Sequence, residues 1–291
     1  MLKILLLGAN GQLGTDLQEV LKDASRYQVQ TVRRSDLDME QPTSVAPYLD
    51  QQDFDVLINC TSYHKTDECE DHPLKTYTIN SIAVAELAKW CNKQGKLLVH
   101  ISTDYVFSGE NDRPYIEQDT TGAVNVYGIS KVAGEQAIAA YHDRYFIFRV
   151  SSLFGQAGAS GKGGNFVETM IRLAREGKPL KVVSDQYMSP THTLDIARAI
   201  KTFLDNDVQA YGVYHCSGEG SCSWYDFASE IFRQLGIKAD LAPVLSSDYV
   251  TKAKRPAYSV LSNNKINSIH QMPAWTSGLT EYLTRKQYLY T

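Results

Sequence analysis

Residues 1–14 of the chain read MLKILLLGANGQLG. An apolar run at residues 3–7 leads directly into glycines at positions 8, 11 and 14, and a helical pattern follows. Such a run is typical of a parallel strand buried on both faces. A glycine turn after it lets backbone amides at the start of a helix approach a phosphate group. We therefore predict a first strand rather than a signal peptide, and a dinucleotide site formed by Gly8, Asn10, Gly11, Gln12, Leu13 and Gly14.

Strand-like and helix-like patterns alternate through the first half of the chain. Apolar runs occur at residues 3–7, 29–32, 55–59, 97–101 and 145–150, and helical spacing occurs at 11–21, 73–91 and 126–141. This alternation predicts an α/β fold with a Rossmann-type doubly wound parallel sheet. Residues 1–150 are the predicted NAD(P)-binding domain, and residues 151–291 are the predicted smaller C-terminal substrate-binding lobe. In that lobe we expect helices at 165–176, 193–204 and 224–235, and strands at 181–183 and 213–216 that are candidates to rejoin the main sheet.

The bulk composition favours an ordinary globular protein. The 291 residues are 43% hydrophobic and carry a net charge of -4, with scattered Lys and Arg, so nucleic acid is not an expected partner. No apolar run approaches the about 20 residues that span a bilayer. We therefore expect no membrane contact and a cytoplasmic location. The five cysteines show neither a CxxC pair nor a zinc-like spacing, so we predict reduced thiols and no metal.

The end of the second predicted strand bears on the cofactor. It reads Thr31-Val32-Arg33-Arg34-Ser35, with two arginines and no carboxylate. An acidic residue at this place accepts a hydrogen bond from a ribose 2′-hydroxyl, whereas arginine suits a 2′-phosphate. Arg33 therefore favours NADP, although Asp36 or Asp38 could reach a ribose or adenine, so NAD use stays open.

Two segments carry a candidate catalytic set. Tyr127 and Lys131 are four residues apart within a predicted helix, so their side chains share one face. A lysine charge beside a phenol favours the ionised phenol, which predicts a lowered pKa for Tyr127. Thr103, in the run Ser102-Thr103-Asp104-Tyr105, follows the fourth strand, where parallel sheets present reactive groups.

In this order, the GxxGxxG turn, Thr103 and the Tyr127/Lys131 pair resemble the extended branch of the short-chain dehydrogenase/reductase family. The resemblance implies that Tyr127 donates a proton, that Lys131 holds the nicotinamide ribose, and that Thr103 binds the substrate carbonyl, with Ser102 as the alternative. It also implies that Asp38 and Met39 contact adenine, that Cys60 and Thr61 line the cofactor, and that Asn80 lies near it.

Further segments resemble the dTDP-4-dehydrorhamnose reductases. These are Tyr127 to Glu135 (YGISKVAGE), Gly164 to Met170 (GNFVETM), Asp185 to Thr191 (DQYMSPT) and Arg255 to Leu261 (RPAYSVL). The resemblance implies NAD(P)H-dependent reduction of the 4-keto group of a nucleotide-linked deoxysugar, dTDP-4-dehydro-L-rhamnose being converted to dTDP-L-rhamnose, and a homodimer. The expected substrate-binding residues are Thr103, Asp104, Tyr105, Asn165, Gln186 and Arg255. Three have alternatives: Asn165 as a helix cap, Gln186 as a solvated loop residue and Arg255 as a surface turn.

The chain also departs from that family. Ser152 stands where tryptophan is usual, Met188 stands where glycine is common, and residues 156–164 form a long glycine-rich loop. These differences concern the identity of the sugar more than the reaction. A 4,6-dehydratase is disfavoured because Asp104 is followed by Tyr105 rather than glutamate. A nucleotide-sugar epimerase stays open, as does a non-catalytic NADP-binding subunit like the methionine adenosyltransferase β subunit.

Overall fold

The computed structural model describes residues 1–158 and 164–289. Within these ranges the chain forms twelve β-strands and ten α-helices. The strands are β1 (Leu2–Leu7), β2 (Tyr27–Val32), β3 (Val56–Asn59), β4 (Leu97–Thr103), β5 (Tyr145–Val150), β6 (Leu153–Phe154), β7 (Leu180–Val183), β8 (Tyr187–Met188), β9 (Thr191–His192), β10 (Gly212–His215), β11 (Cys222–Ser223) and β12 (Leu241–Val244). The helices are α1 (Gln12–Val20), α2 (Val45–Leu49), α3 (Thr66–Asp71), α4 (Pro73–Tyr77), α5 (Ala83–Gln94), α6 (Val126–Tyr141), α7 (Phe166–Arg175), α8 (Thr193–Asp205), α9 (Trp224–Leu235) and α10 (Trp275–Arg285).

The predicted doubly wound sheet is confirmed. Six strands lie in the order β10-β5-β4-β3-β1-β2, and all neighbouring pairs are parallel. β4 is longer than predicted and ends at Thr103. It therefore carries Ser102 and Thr103 to the carboxyl edge of the sheet.

Apolar side chains cover both faces of this sheet. In β1, Ile4 and Leu6 belong to the core that α1 and α8 cover, whereas Leu5 and Leu7 belong to the core under α2, α5 and α6. Leu5 and Leu6 are fully buried, and burial of such a side chain contributes about 1.5–3 kcal/mol. Alternate residues of one strand thus hold it between two helical layers.

The order of the strands reverses at β1. The chain passes from β1 to β2 on one side, and then returns past β1 to β3 on the other. Where the order reverses, the carboxyl ends of adjacent strands leave a crevice that binds ligands in open α/β sheets. The glycine turn after β1 and residues 59–61 at the end of β3 border this crevice.

The second half of the chain contributes to both parts of the molecule. β10 pairs with β5 in the main sheet and α8 packs against α1, so the run at 213–216 does rejoin that sheet. The run at 181–183 instead pairs with β12 as β7. A separate apolar core lies among α7, α9 and α10. The domain boundary at residue 150 stays a prediction. No helix in the described ranges is long and apolar enough to cross a membrane.

Candidate active site

The structure explains in a different way why glycine stands at each of the three positions of the first turn. Gly8 has φ +77°, a conformation that favours glycine, and a Cβ there would lie 2.9 Å from the Cys60 carbonyl carbon. A Cβ on Gly14 would lie 2.3 Å from the Gly8 carbonyl oxygen. A Cβ on Gly11 would meet one neighbour only, the Gly8 oxygen at 3.4 Å. The protein itself therefore leaves room at Gly11, and this room opens on the cleft that the residue lines.

Two arginines lie at the predicted adenosine end of the cleft, and they differ in their ion pairs. Arg34 forms ion pairs with Asp38 and Glu40. The Asp38 carboxylate also accepts a hydrogen bond from the Glu40 amide at 3.0 Å. Arg33 is exposed, and its guanidinium has no ion pair with any described residue. Arg33 is thus the arginine available to an additional phosphate.

Helix α6 presents the Tyr127/Lys131 pair to the end of β4. Asn125 caps the helix, since its Oδ1 accepts a hydrogen bond from the Gly128 amide at 2.8 Å. A Cβ on Gly128 would lie 2.2 Å from the Tyr105 carbonyl oxygen. The glycine therefore permits close contact between α6 and the segment after β4. This contact places Tyr127 beside Tyr105, with ring centroids 6.0 Å apart.

The pKa prediction for Tyr127 is not supported. Burial raises the pKa of Tyr127, and hydrogen bonds with the Thr103 and Ser62 side chains oppose that rise. Burial also lowers the pKa of Lys131 to about 8. Desolvation of the phenol therefore outweighs its two hydrogen bonds, and the Lys131 charge is not among the largest influences on the pKa of Tyr127.

Thr103 and Asp104 form a buried polar cluster at the end of β4. Thr103 Oγ1 donates to Asp104 Oδ1 at 3.0 Å, and Asp104 Oδ2 accepts from Ser151 at 2.9 Å and from Ser259 at 2.6 Å. Burial raises the pKa of Asp104 to about 6. Asp104 lines the cleft, but its oxygens already tie β4 to the chain after β5 and to the segment at 255–261. Ser151 and Ser259 were not identified from the sequence.

A π-helical turn, Thr78–Ile82, interrupts the helix predicted at 73–91. It holds Asn80, whose Oδ1 accepts from the Tyr63 amide at 2.9 Å and whose Nδ2 donates to Ser130 Oγ at 3.0 Å. A Cβ on Gly134 would lie 2.3 Å from the Asn80 carbonyl oxygen, so α6 packs tightly on this turn. Asn80 therefore joins the chain after β3 to α6.

A residue that sequence reasoning did not single out, His100, lies under Lys131. Its Nε2 is 3.0 Å from Lys131 Nζ, and Lys131 Nζ also donates to the Ile101 carbonyl oxygen at 2.7 Å. His100 and Lys131 are 0% and 1% exposed. The available signal was a single histidine inside an otherwise apolar strand pattern, Leu97-Leu98-Val99-His100-Ile101.

A single cleft of about 820 Å³ joins these parts. All predicted cofactor residues line it, as do Thr103, Asp104, Tyr105, Tyr127, Lys131 and Asn165. Phe166, Trp224 and Phe227 also line it, and the ring centroids of Phe166 and Trp224 lie 4.8 Å apart. These aromatic side chains come from α7 and α9 and were not predicted.

The three predicted substrate-binding residues for which another role was open have different surroundings in the structure. Asn165 does cap α7, because its Oδ1 accepts from the Glu168 amide at 3.1 Å, and its Nδ2 lies 3.3 Å from Gln12 Oε1. Arg255 does not line the cleft and pairs instead with Asp67 at 2.9 Å. Gln186 does not line the cleft either. Substrate binding by all three stays a prediction.

The three positions at which the sequence departs from the family pattern lie in different parts of the molecule. Ser152 lines the cleft with φ 45°, a strained value for a residue other than glycine. Met188 is 2% exposed and packs in the core of the second lobe. Of the glycine-rich loop at 156–164, residues 159–163 lie outside the described residues.

Among the described residues, one group could offer three ligands to a metal. The ligand atoms of His192, Asp195 and Glu281 lie within 4.8 Å of one another. Arg198 already binds both carboxylates, at 3.2 Å from Asp195 and at 2.7 and 2.8 Å from Glu281. Both carboxylates of this group are thus already paired with a cation, and the expectation of no metal stays a prediction.

Comparisons with known proteins show the family of this chain. The model of a family described as the RmlD substrate binding domain matches residues 2–288. The spore coat polysaccharide biosynthesis protein SpsK of Bacillus subtilis is 37% identical over 287 residues, which cover 98% of each chain. The dTDP-4-dehydrorhamnose reductase of Escherichia coli is 35% identical, and the match covers 97% of each chain.

A solved structure extends this likeness to three dimensions. The dTDP-4-dehydrorhamnose reductase of Bacillus anthracis, in complex with NADP, has a TM-score of 0.91 and 37% identity, with 98% of this chain and 99% of that chain covered. The resemblance inferred from the motifs is therefore confirmed. Since the family model spans nearly the whole chain and the relatives match along nearly their whole length, this protein belongs to the RmlD substrate binding domain family.

Proposed function

We propose that this protein is an NADPH-dependent ketoreductase. It reduces the 4-keto group of a nucleotide-linked deoxysugar, dTDP-4-dehydro-L-rhamnose, to give dTDP-L-rhamnose. The observation that carries this proposal is one cleft that the glycine turn, the candidate set Thr103, Tyr127 and Lys131, and aromatic side chains of α7 and α9 all line. The relatives named dTDP-4-dehydrorhamnose reductase support the choice of substrate.

The chemistry needs one proton for each hydride. Bound NADPH supplies the hydride to the carbonyl carbon, and negative charge grows on the carbonyl oxygen. The Tyr127 hydroxyl donates a proton to that oxygen, since its raised pKa keeps it protonated. Thr103 orients the carbonyl by a hydrogen bond, and Lys131 holds the ribose hydroxyls of the cofactor.

The residues present fit a dinucleotide. The open side of Gly11 is where backbone can approach a pyrophosphate, and Gly8 and Gly14 supply the tight turn and the close packing of helix on strand. The free guanidinium of Arg33 suits a 2′-phosphate, and the related structure in complex with NADP supports this choice. NAD remains a possible second cofactor.

We expect Gly11→Ala to weaken NADPH binding about tenfold or more while leaving the fold intact. The added methyl group meets only the Gly8 oxygen at 3.4 Å and otherwise enters the cofactor's space. Gly14→Ala is the matched variant, since its methyl group lies 2.3 Å from the Gly8 oxygen and strains the turn itself. Cofactor titration by fluorescence and thermal unfolding separate the two effects. Unchanged NADPH affinity in a folded Gly11→Ala variant contradicts the placement of the pyrophosphate.

We expect Arg33→Asp to shift the cofactor preference from NADPH towards NADH by about tenfold or more, because it exchanges attraction of the 2′-phosphate for repulsion. The measurement is kcat/KM for each cofactor with the same ketone. Arg233→Asp is the charge-matched control, since Arg233 is 70% exposed at the end of α9. An NADPH to NADH ratio that Arg33→Asp leaves unchanged shows that Arg33 does not contact the cofactor.

The experiment that tests the function is a reduction assay with a panel of dTDP-, UDP- and GDP-linked 4-keto sugars and both reduced cofactors. Oxidation of NADPH with dTDP-4-dehydro-L-rhamnose, and formation of dTDP-L-rhamnose, supports the proposal. Interconversion of sugars without net cofactor consumption identifies an epimerase. The absence of ketone reduction, together with a stoichiometric synthetase partner, identifies a regulatory subunit.

A cytoplasmic location and a homodimer belong to the same proposal. The five cysteines are free thiols, four of them buried, as expected in a reducing compartment. Fractionation of the native cells tests the location, and sedimentation of the purified chain tests the dimer.

A further inference from the structure

Gln12, the first residue of α1, has its backbone in the glycine turn and its side chain in contact with a distant part of the chain. Gly11 precedes the helix without a side-chain cap, and the Thr15 amide donates to the Gly11 carbonyl oxygen. The amide of Gln12 therefore has no acceptor within the helix, as is usual at a helix N-terminus. Such an amide is available to a phosphate group, and Gln12 lines the cleft.

The side chain of Gln12 reaches the segment between β6 and α7. Its Oε1 accepts a hydrogen bond from the Gly155 amide at 2.8 Å and lies 3.3 Å from Asn165 Nδ2. The Gly155 N–H can only donate, so the oxygen end of the Gln12 amide faces Gly155. The two partners are 143 and 153 positions away in the sequence. Gln12 thus links the glycine turn directly to the start of α7.

Asn165 is held in one orientation by the chain around it. Its Oδ1 accepts from the Glu168 amide at 3.1 Å, so its NH₂ end points the other way. There Nδ2 lies 3.2 Å from the Gly155 carbonyl oxygen and 3.2 Å from the Tyr282 hydroxyl. Tyr282 donates its own hydrogen to Glu168 and can therefore accept from Asn165. Asn165 is 7% exposed and Tyr282 is 0% exposed, so bulk water does not compete for these contacts.

Close packing fixes Gly155 as well. A Cβ there would lie 2.0 Å from Thr193 Oγ1 and 3.2 Å from the Gln12 Cβ. Gly155 follows β6, and α7, which Asn165 caps, begins with Phe166 in the cleft. Because this junction leaves little free space, a displacement of Gln12 is transmitted to the start of α7.

We propose that Gln12 is a positioning residue that couples cofactor binding at the glycine turn to nucleotide binding beside α7. A pyrophosphate on the backbone amide holds the first residue of α1, and the Gln12 side chain then holds Gly155 and Asn165. The first ligand thus bears the cost of ordering this junction, and the second ligand binds more tightly. The coupling is reciprocal, so dTDP favours NADP binding by the same factor.

Other contacts also join α1 to the second half of the chain. Thr193 donates to Asp16, and Arg285 pairs with Glu19 at 2.6 Å. Asp16 and Glu19 lie about one and about two turns beyond Gln12 along α1. These contacts do not involve the Gln12 side chain and remain when it is replaced. A coupling that passes through them therefore survives a Gln12 variant, whereas the proposed coupling does not.

This inference rests on the proposed function in one respect, since it assumes that the nucleotide of the substrate binds beside α7. The first test needs the cofactor alone. Hydrogen exchange of the α7 amides (Phe166–Arg175) is followed by mass spectrometry with and without saturating NADP. In the native protein we expect NADP to slow this exchange about fivefold or more, the low end of typical coupling factors.

Gln12→Met keeps the backbone amide and the length of the side chain but removes the acceptor. In this variant we expect saturating NADP to leave the exchange of the α7 amides unchanged. Equal slowing in the native protein and in Gln12→Met overturns the proposal, as does the absence of slowing in a native protein that binds NADP. A native protein that does not bind NADP contradicts the proposed cofactor site instead.

The second test measures the affinity for dTDP by calorimetry, with and without saturating NADP. In the native protein we expect NADP to tighten dTDP binding about fivefold or more, and in Gln12→Met we expect the ratio to fall to about one. Asn165→Ser should lose the ratio as well, since serine still caps α7 but brings no amide group. Because both residues belong to one path, the double variant should lose no more than either single variant.

Gln18→Met is the matched control on the same helix. Gln18 Nε2 donates to the Ala9 and Gly14 carbonyl oxygens at 2.8 and 3.1 Å, within the glycine turn itself. This variant should keep the native ratio of dTDP affinities. If folded Gln12→Met and Asn165→Ser also keep it, the Gln12 contact has a packing role only. If dTDP does not bind the native protein, the proposed substrate is wrong, and the exchange experiment still decides whether Gln12 carries cofactor binding to α7.

Discussion

Replacing Tyr127 by phenylalanine is expected to lower kcat for ketone reduction by about 10²-fold or more, the usual contribution of a general acid. The substitution removes one hydroxyl and keeps the ring that lies 6.0 Å from Tyr105. NADPH affinity and the unfolding midpoint should therefore change little. The measurement is steady-state reduction with saturating NADPH, alongside a cofactor titration of the same variant.

A matched control lies on the same helix. Tyr141 ends α6 and is 46% exposed, so Tyr141→Phe also removes a phenol hydroxyl but leaves kcat unchanged. Near-normal turnover in Tyr127→Phe would mean that another group delivers the proton. Thr103, which shares a hydrogen bond with Tyr127, is then the next residue to change.

The sequence could predict that the three candidate catalytic residues share one cleft, because their placement is set by local geometry. Spacing within one helix places Tyr127 and Lys131 on the same face, and the end of a parallel strand places Thr103 at the reactive edge. The pKa of Tyr127 is a different matter. It depends on burial among segments that follow β3 and β4, and on the contacts of Lys131 with His100 and the Ile101 carbonyl oxygen, which no spacing rule describes.

The contacts that escaped prediction join distant segments. Arg255 pairs with Asp67 across 188 residues of sequence, so its charge is engaged before any substrate arrives. Ser259 reaches Asp104 across 155 residues. A single sequence shows which side chains can form hydrogen bonds but not which of them meet. The substrate role predicted for Arg255 came from its motif alone, whereas its ion pair required the fold.

Some elements were missed for local reasons. α2 is five residues long and contains Pro47, and α3, with the sequence TDECED, has little apolar periodicity. The helix predicted at 73–91 was found, but its π-helical turn was not. This turn packs closely against Gly134 of α6, and helical periodicity does not report such a contact.

Breaking the ion pair between Arg149 and Glu135 is expected to cost about 3–5 kcal/mol of unfolding free energy, since it leaves an uncompensated buried charge. The two side chains are 6% and 7% exposed and lie 2.7 Å apart, and a second nitrogen of Arg149 lies 3.1 Å from Glu135 Oε1. Arg149→Met keeps much of the side-chain volume and removes the charge. Urea unfolding followed by fluorescence measures the loss.

Two comparisons separate charge from packing. The double variant Arg149→Met/Glu135→Leu removes both charges and should regain most of the lost stability. Arg113→Met breaks a similar two-contact pair with Asp119, at 2.8 and 2.9 Å, but Arg113 is 53% exposed, so the expected cost is about 0–1 kcal/mol. If Arg149→Met costs no more than Arg113→Met, the remaining partners of Glu135, such as the Ser102 hydroxyl that donates to it, suffice to hold the carboxylate in the folded protein.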